Sequence, residues 1–280
     1  METAGRHTEY LSLNTDIIQR ILVGFLHDEI KNAGFTKAVL GLSGGVDSTL
    51  AAYLSVRALG KENVLGVIMP YRSSAPESKT DAERVAQELG IRTEFVDITQ
   101  MVDAYMIPRK ITEKVRAGNI MARQRMIVLY DISGRDSALV VGTSNKTEIF
   151  LGYGTLFGDT ACAINPLGDL YKTQVWQLSE AMNIPRHIIE KKPSADLWPG
   201  QTDEDDLGFS YKTVDHLLYF MIDERRSIAE LEQMGFAKEL IMRVRDLVRK
   251  NQFKRRPSVI AKVSNRTMNV DFRYARDWGI

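Results

Sequence analysis

Ser43-Gly44-Gly45-Val46-Asp47-Ser48 brings two glycines, two hydroxyls and a carboxylate together directly after the apolar run Ala38-Val39-Leu40-Gly41-Leu42. A strand, a glycine turn and a helix N-terminus in that order make an anion site. Small residues let backbone N–H groups approach phosphate oxygens, and the helix end adds a partial positive charge. The Walker phosphate loop ends in Gly-Lys-Ser/Thr, and no lysine follows here. Asp47 stands there instead, and a carboxylate about 4 Å from a phosphate charge is repelled by roughly 4 kcal/mol at an effective dielectric near 20. Asp47 therefore fits a phosphate loop only if a cation bridges the two, and Mg²⁺ favours carboxylates together with phosphate oxygens. A Gly-rich turn with an acid near a helix start is the plainer alternative. The full hexapeptide in this setting favours a nucleotide loop.

The elements that must position this loop follow from hydrophobic periodicity. Ile17, Ile18, Ile21, Leu22, Phe25, Leu26 and Ile30 recur at helical spacing, which predicts an amphipathic helix over 15–33. Strands are predicted at 37–42, 63–70, 92–98 and 137–143, with helices at about 47–59, 77–89 and 119–134 between them. Strands alternating with helices imply a parallel sheet covered on both faces, with ligands at the carboxyl ends of the strands. The tips Ser43–Ser48, Met69–Ser74 and Thr143–Glu148 should then converge. The fold class expected is α/β, a doubly wound Rossmann-like sheet with a helical C-terminal part. It reads as one domain over 1–280, with a sheet core at about 37–170 and a mainly helical extension at about 171–280. Gly152–Asp159 and Pro193–Gly208 break the periodicity and are long enough to be mobile lids, or are ordinary surface loops.

Bulk composition removes several classes of function. A formal net charge of +1 gives no global field for nucleic acid or membrane, and no apolar run approaches a membrane span. The single cysteine, Cys162, excludes an intramolecular disulfide and multi-cysteine metal sites. Met1 to Asn14 is polar, without a secretory core, so the cytoplasm is the expected compartment.

Several stretches together are more specific than the first loop. They are Gly118-Asn119-Ile120-Met121-Ala122-Arg123-Gln124-Arg125-Met126, Gly142-Thr143-Ser144-Asn145-Lys146-Thr147-Glu148 and Gly152-Tyr153-Gly154-Thr155-Leu156-Phe157-Gly158-Asp159. Asn165-Pro166-Leu167 with Lys172-Thr173, and Pro193-Ser194-Ala195-Asp196-Leu197, complete the set. The first loop resembles that of the N-type ATP pyrophosphatases, whose fold is adenine nucleotide alpha hydrolase-like. The set in this order resembles the NAD⁺ synthetase family, from about residue 15 to the terminal segment Phe272–Trp278.

That resemblance implies ATP-dependent amidation of deamido-NAD⁺ through an acyl-adenylate, with Mg²⁺ as cofactor and ATP as co-substrate. It implies ATP contacts at Gly41, Leu42, Ser43, Gly44, Gly45, Val46, Asp47, Ser48, Thr143, Lys172 and Ser194, and Mg²⁺ on Asp47 and Glu148. Asp47, Lys172 and Asp159 are the expected catalytic residues, and Arg123, Tyr153, Asp159 and Lys254 the expected dinucleotide contacts. On sequence alone Lys172 reads as a surface lysine opening a helix, and 254–256 as a solvated basic tail. Arg123 and Arg125 lie about 200° apart on a helix, bordering opposite edges of a stripe formed by Ala122, Met126, Leu129 and Tyr130. Periodicity does not say which reaches a ligand; the resemblance favours Arg123. Val67 to Met69 could read adenine through its backbone, and Tyr153 and Phe157 either stack on the nicotinate ring or belong to the core. The chain departs from the family pattern at Leu156, Ala163 and Phe253, where lysine, aspartate and histidine are common.

No amidase domain precedes the synthetase portion, so free ammonia is the expected donor, and the family implies a homodimer to which the helix at 15–33 could contribute. Two other functions carry the same loop. A tRNA-modifying enzyme of the superfamily would favour paired cysteines or a basic face, and a non-catalytic nucleotide-binding module would lose the carboxylates Asp47 and Glu148.

Overall fold

The computed structural model describes residues 10–198, 200–265 and 267. Four parallel strands, β1 (Lys37–Gly41), β2 (Val64–Ile68), β3 (Arg92–Phe95) and β4 (Ala138–Val140), lie in the order β3-β2-β1-β4. Val39 is level with both Leu65 and Val140 in the register. Side chains alternate between faces, as a two-residue period requires. Ala38, Leu40, Val64 and Ile68 enter one core cluster and Val39, Leu65 and Val67 another. The order reverses direction between β1 and β4, which makes the crevice between their carboxyl ends the switch point.

Twelve α-helices are described. α1 (Thr15–Asn32), α2 (Val46–Leu59), α3 (Pro76–Leu89), α4 (Thr99–Met106), α5 (Lys114–Asp136) and α6 (Lys146–Leu151) accompany the sheet. α7 (Lys172–Ala181), α8 (Arg186–Ile189), α9 (Asp203–Leu207), α10 (Tyr211–Leu218), α11 (Ile228–Gln233) and α12 (Lys238–Lys250) follow. Leu26 and Ile30 of α1, Leu50 and Leu54 of α2 and Val175 and Leu178 of α7 cover one face of the sheet. Val102 of α4 and Met121, Val128 and Ile132 of α5 cover the other. A further apolar cluster, built around Val214, Leu217 and Leu218 of α10 with Ile241 and Val244 of α12, supports the C-terminal helices.

The expected elements are present, with β2 and β3 shorter than expected, ending at Ile68 and Phe95, α6 not expected, and further differences. α4 was not anticipated; its eight residues bury one position fully, Val102, too few to show a period. α5 starts at Lys114 rather than near 119 and ends where Ser137 turns left-handed at φ 51°, which delays β4 to Ala138. β4 also stops at Val140, because Val141 leaves to bridge Ile164. Finally, Pro193–Gly208 contains α9, started by Thr202 accepting from the Asp205 N–H.

The inward stripe of α5 also differs from the expected one. The buried residues Gly118, Met121, Val128 and Ile132 bracket Arg125 at alternating spacings of three and four, while Tyr130 is exposed. Arg125 thus lies on the middle of the inward face and Arg123 on the exposed one. A guanidinium scores as polar in any periodicity count, so the wrong stripe fitted as well.

Candidate active site

The loop after β1 is fixed by its own polar groups. The Leu42 N–H donates to the Val67 carbonyl at 2.9 Å, which keeps β1 paired as far as the turn. Gly44 then takes φ +73°, and a Cβ there would stand 2.5 Å from the Ser78 carbonyl oxygen and 2.8 Å from Asp81 Cβ. Only glycine meets both demands. Ser48 Oγ donates to the Gly45 carbonyl at 3.0 Å and accepts from the Ser43 N–H at 3.2 Å. Thr49 Oγ1 donates to the same carbonyl at 2.8 Å. Gly45 is the N-cap of α2, with no side-chain cap, so the first N–H groups of that helix are left for a ligand.

Across the switch point, Asn145 closes the crevice. Its buried side chain accepts from the Glu148 N–H at 3.0 Å, and Glu148 Oε2 accepts from the Asn145 N–H at 3.3 Å, forming a capping box at the start of α6. Asn145 Nδ2 also donates to Asp47 Oδ1 at 2.9 Å. One amide therefore ties the carboxylate of the first loop to the helix that carries the second.

Lys172 completes the cluster. It opens α7, is 1% exposed, and its Nζ pairs with Asp47 Oδ2 and lies 3.8 Å from Glu148 Oε1. The surface lysine expected from sequence is buried because Tyr211 and the two carboxylates enclose it; Nζ stands 5.3 Å from the Tyr211 ring centre. Burial disfavours its charge, but Asp47, Glu148 and Asp203 outweigh burial and hold it protonated more firmly than an ordinary lysine. Glu148 is pushed well up, first by burial and then by Asp47, with Lys172 acting in the opposite sense. Asp203 is buried and also raised by burial; it accepts from Tyr211 Oη at 2.9 Å and Tyr153 Oη at 3.0 Å.

Two carboxylates thus pair with one ammonium, and the charge of a third, Asp203, acts on it as well. Among the described residues no three His, Cys, Asp or Glu side chains form a metal cage. Two all-oxygen carboxylates beside a helix N-terminus do fit Mg²⁺, which binds through one or two carboxylates with substrate phosphates filling the rest of its shell. The donor chemistry of Asp47 and Glu148 therefore suits the group.

The other expected residues are more dispersed. Thr143 is half-buried beyond β4, between Gly142, whose N–H donates to the Ile164 carbonyl at 2.7 Å, and Ser144, whose carbonyl accepts from Asn165 Nδ2 at 2.9 Å. Arg125 Nε donates to the Met69 carbonyl at 3.0 Å, while exposed Arg123 reaches the Leu156 carbonyl at 3.3 Å through Nε. The carbonyls of Val67, Ile68 and Met69 all accept bonds within the protein. Asp159 Oδ1 accepts from the Thr155 N–H at 2.8 Å and Phe157 is exposed. Tyr153 donates to Asp203 and Asp206 and packs partly against the C-terminal cluster. Ser194 is exposed and accepts from the Asp196 N–H at 3.1 Å.

The basic cluster 254–256 has a definite structural task. Lys254 Nζ donates to the carbonyls of Gly152 at 2.7 Å and Gly154 at 2.9 Å. Arg255 takes those of Ile149 and Phe150, and Asn251 that of Leu151. Together they satisfy the C-terminal carbonyls of α6, the helix bearing Glu148. The solvated tail expected here is half-buried for that reason at Lys254 and Arg255. The two irregular stretches are also tied in place: Thr155 Oγ1 donates to Asn119 at 2.7 Å, and Asp196 accepts from the Ala75 N–H at 3.0 Å.

The sequence reading missed Asn145, Asp203 and Tyr211. Only Asn145 carried a local signal, an Asn three residues before a Glu at a helix start. With this geometry in view, the comparison with known families is decisive: the NAD synthase model matches residues 17–258. The chain belongs to the NAD synthase family. It is 57% identical over 269 residues to an NH(3)-dependent NAD(+) synthetase of Trichlorobacter lovleyi, a match covering 96% of this chain and 98% of the relative. An NMN synthetase from Francisella tularensis superposes with a TM-score of 0.79 at 32% identity, covering 89% of this chain and 99% of that one. An NH3-dependent NAD synthetase from Campylobacter jejuni, in complex with a nitrate ion, gives 0.77 at 34% identity, covering 89% and 100%. The family likeness expected at Phe272–Trp278 falls outside the described residues.

Proposed function

We propose that this chain is an ammonia-dependent NAD⁺ synthetase, forming the amide of deamido-NAD⁺ at the expense of ATP in the last step of NAD⁺ formation. The observation that carries the reading is Lys172 held between Asp47 and Glu148, at a glycine loop that presents a helix N-terminus. The substrate carboxylate oxygen attacks the α-phosphorus of ATP, and the bond to pyrophosphate breaks. Ammonia then attacks the acyl carbon, AMP leaves with the carboxylate oxygen, and the nitrogen gives up a proton. The loop N–H groups and the Lys172 ammonium would meet the negative charge that gathers on the departing pyrophosphate, so the protein's contribution would be electrostatic. Asp47 and Glu148 would hold Mg²⁺, which when bound neutralises phosphate charge.

Thr143 and Ser194 belong to the proposed ATP contacts, and Arg123, Tyr153, Asp159 and Lys254 to the dinucleotide side. A homodimer and a cytoplasmic location are part of the same proposal. The exposed Ile17 and Ile21 on α1 suit a subunit contact, and no helix among the described residues is long and apolar enough to cross a membrane.

The test is purified protein with ATP, Mg²⁺ and either deamido-NAD⁺ or nicotinate mononucleotide, with ammonium or glutamine as donor. NAD⁺ and AMP formed from deamido-NAD⁺ with ammonium alone is the expected result. Amidation of the mononucleotide instead would move the chain toward the activity that the Francisella relative's name carries. Absence of amide with either acceptor would overturn the reading.

A further inference from the structure

Lys172 and Glu148 come from different helices, and one buried pair ties the starts of both. Thr147 lies beside Glu148 on α6, and its Oγ1 accepts from the Lys172 N–H at 3.0 Å while donating to Asp215 Oδ1 at 2.6 Å. Asp215 Oδ2 accepts from the Thr173 N–H at 2.8 Å. Thr147 and Asp215 are both fully buried, and Asp215 sits on α10 between Val214 and Leu217, which anchor it in the C-terminal cluster. The contacts close a ring: Asp47 to Asn145, Asn145 to Glu148, Thr147 to Asp215 and to the N–H of Lys172, and Lys172 back to Asp47.

We infer that Thr147 and Asp215 are positioning residues that set the placement of Lys172 and Glu148 about Asp47, and so govern how tightly the metal–triphosphate end of ATP is held. The inference rests on the function proposed above. Neither residue reaches the crevice itself. The hydroxyl and the carboxylate take the first two N–H groups of α7, which fixes the rotation and advance of the helix that Lys172 opens. The same hydroxyl belongs to the residue preceding Glu148, so a shift of one helix start is felt at the other. A misplacement of about 1 Å at such a site can cost on the order of a hundredfold in rate.

The test compares Thr147→Val, which keeps the shape and removes the hydroxyl, with Thr147→Ser, which keeps the hydroxyl. Binding of Mn²⁺ with a non-hydrolysable ATP analogue is measured by calorimetry, alongside deamido-NAD⁺ binding, kcat, KM and the melting temperature. Thr147→Val should weaken metal–nucleotide binding and lower kcat by about tenfold or more, with deamido-NAD⁺ affinity kept within about twofold and Thr147→Ser recovering most of the loss. A folded Thr147→Val with wild-type metal–nucleotide affinity and kcat overturns the inference. So does an equal loss in the Ser variant, or an equal weakening toward deamido-NAD⁺. Should the Val variant not fold, Asp215→Asn decides: it keeps an oxygen for the Thr173 N–H and loses the acceptor for the Thr147 proton, and the same split is expected. If wild type binds metal–nucleotide but forms no amide, the proposed function fails, and the binding comparison still decides the positioning role.

Discussion

Replacing Lys172 with methionine removes the one cation from a cluster of three carboxylates while keeping a similar volume. At an effective dielectric near 20, an ammonium about 4 Å from a carboxylate is worth roughly 4 kcal/mol, and Lys172 holds Glu148 at 3.8 Å and Asp47 closer. Burying the ammonium offsets several kcal/mol of that gain. Removing one partner of a buried pair costs about 3–5 kcal/mol. The lower end applies here, because the Asp47 and Glu148 side chains keep 18% and 16% of their exposure and water can screen them. A loss of about 3 kcal/mol should lower Tm by roughly 5 °C in a chain of this size. The loss also has a pH signature. Lys172 opposes the rise in the Glu148 carboxyl, so its removal lifts that group further above its ordinary 4.5. A carboxyl raised in the folded state makes stability fall as pH rises above about 4.5, so raising it further should make the deficit grow between pH 4.5 and pH 7.5. Urea denaturation of both proteins at these two pH values measures it, and turnover should fall by about a hundredfold or more. An equal deficit at both pH values, or none at pH 7.5, would refute the reasoning.

Gly44→Ala should destabilise by about 2 kcal/mol or more, because its φ of +73° and its contact with the Ser78 carbonyl are both fixed by backbone. Gly45→Ala, whose Cβ would stand 3.4 Å from Ser43 Oγ, should fold normally and lose ATP binding; equal melting temperatures for the two variants would contradict this. Asp215, raised mainly by burial from 3.8 to about 6 against the pull of Thr147, Thr173 and His216, makes wild type less stable by roughly 2 kcal/mol as pH rises from 4 to 7. Asp215→Asn should lack that slope in urea titrations across the range. Lys254→Met removes two charge-assisted bonds to Gly152 and Gly154; it should cost about 1–3 kcal/mol, speed amide exchange over 153–158 and raise KM for deamido-NAD⁺. Unchanged exchange there would remove Lys254 as the clamp of this loop.

What was legible in the sequence was local. The hexapeptide at 43–48 is contiguous, and its glycines, hydroxyls and carboxylate act on neighbours a few residues away. The strands were legible because Val39, Leu40, Leu65 and Val67 sit in short apolar runs between turn residues. Lys172 meets Asp47 across 125 positions, and Thr147 meets Asp215 across 68, so no window on the chain contains either pair. Arg125 was misplaced for a different reason. Its guanidinium bonds the Met69 carbonyl, just past β2, from the inward face of α5, where hydropathy alone expects carbon. Lys254 and Arg255 looked like a solvated tail because their partners are backbone carbonyls, which have no sequence signature at all.

The composition of the central cluster argues for function over stability. Apolar side chains of the same volume in place of a buried ion cluster are often neutral or stabilising. Here the carboxylates of Asp47, Glu148 and Asp203 outnumber the single ammonium, and burial first, with the Asp47 charge adding to it, raises Glu148 and Asp203. Such a site repels a bare triphosphate even while the N-terminus of α2 attracts one. The two tendencies would be reconciled if a divalent cation accompanied the phosphates: Asp47 and Glu148 would hold the metal, and the Lys172 ammonium would be free to meet phosphate oxygen. The surplus negative charge would then favour the metal-bound nucleotide over the free one. In that arrangement the ring through Asn145, Thr147 and Asp215 would keep the two carboxylates and the lysine in register.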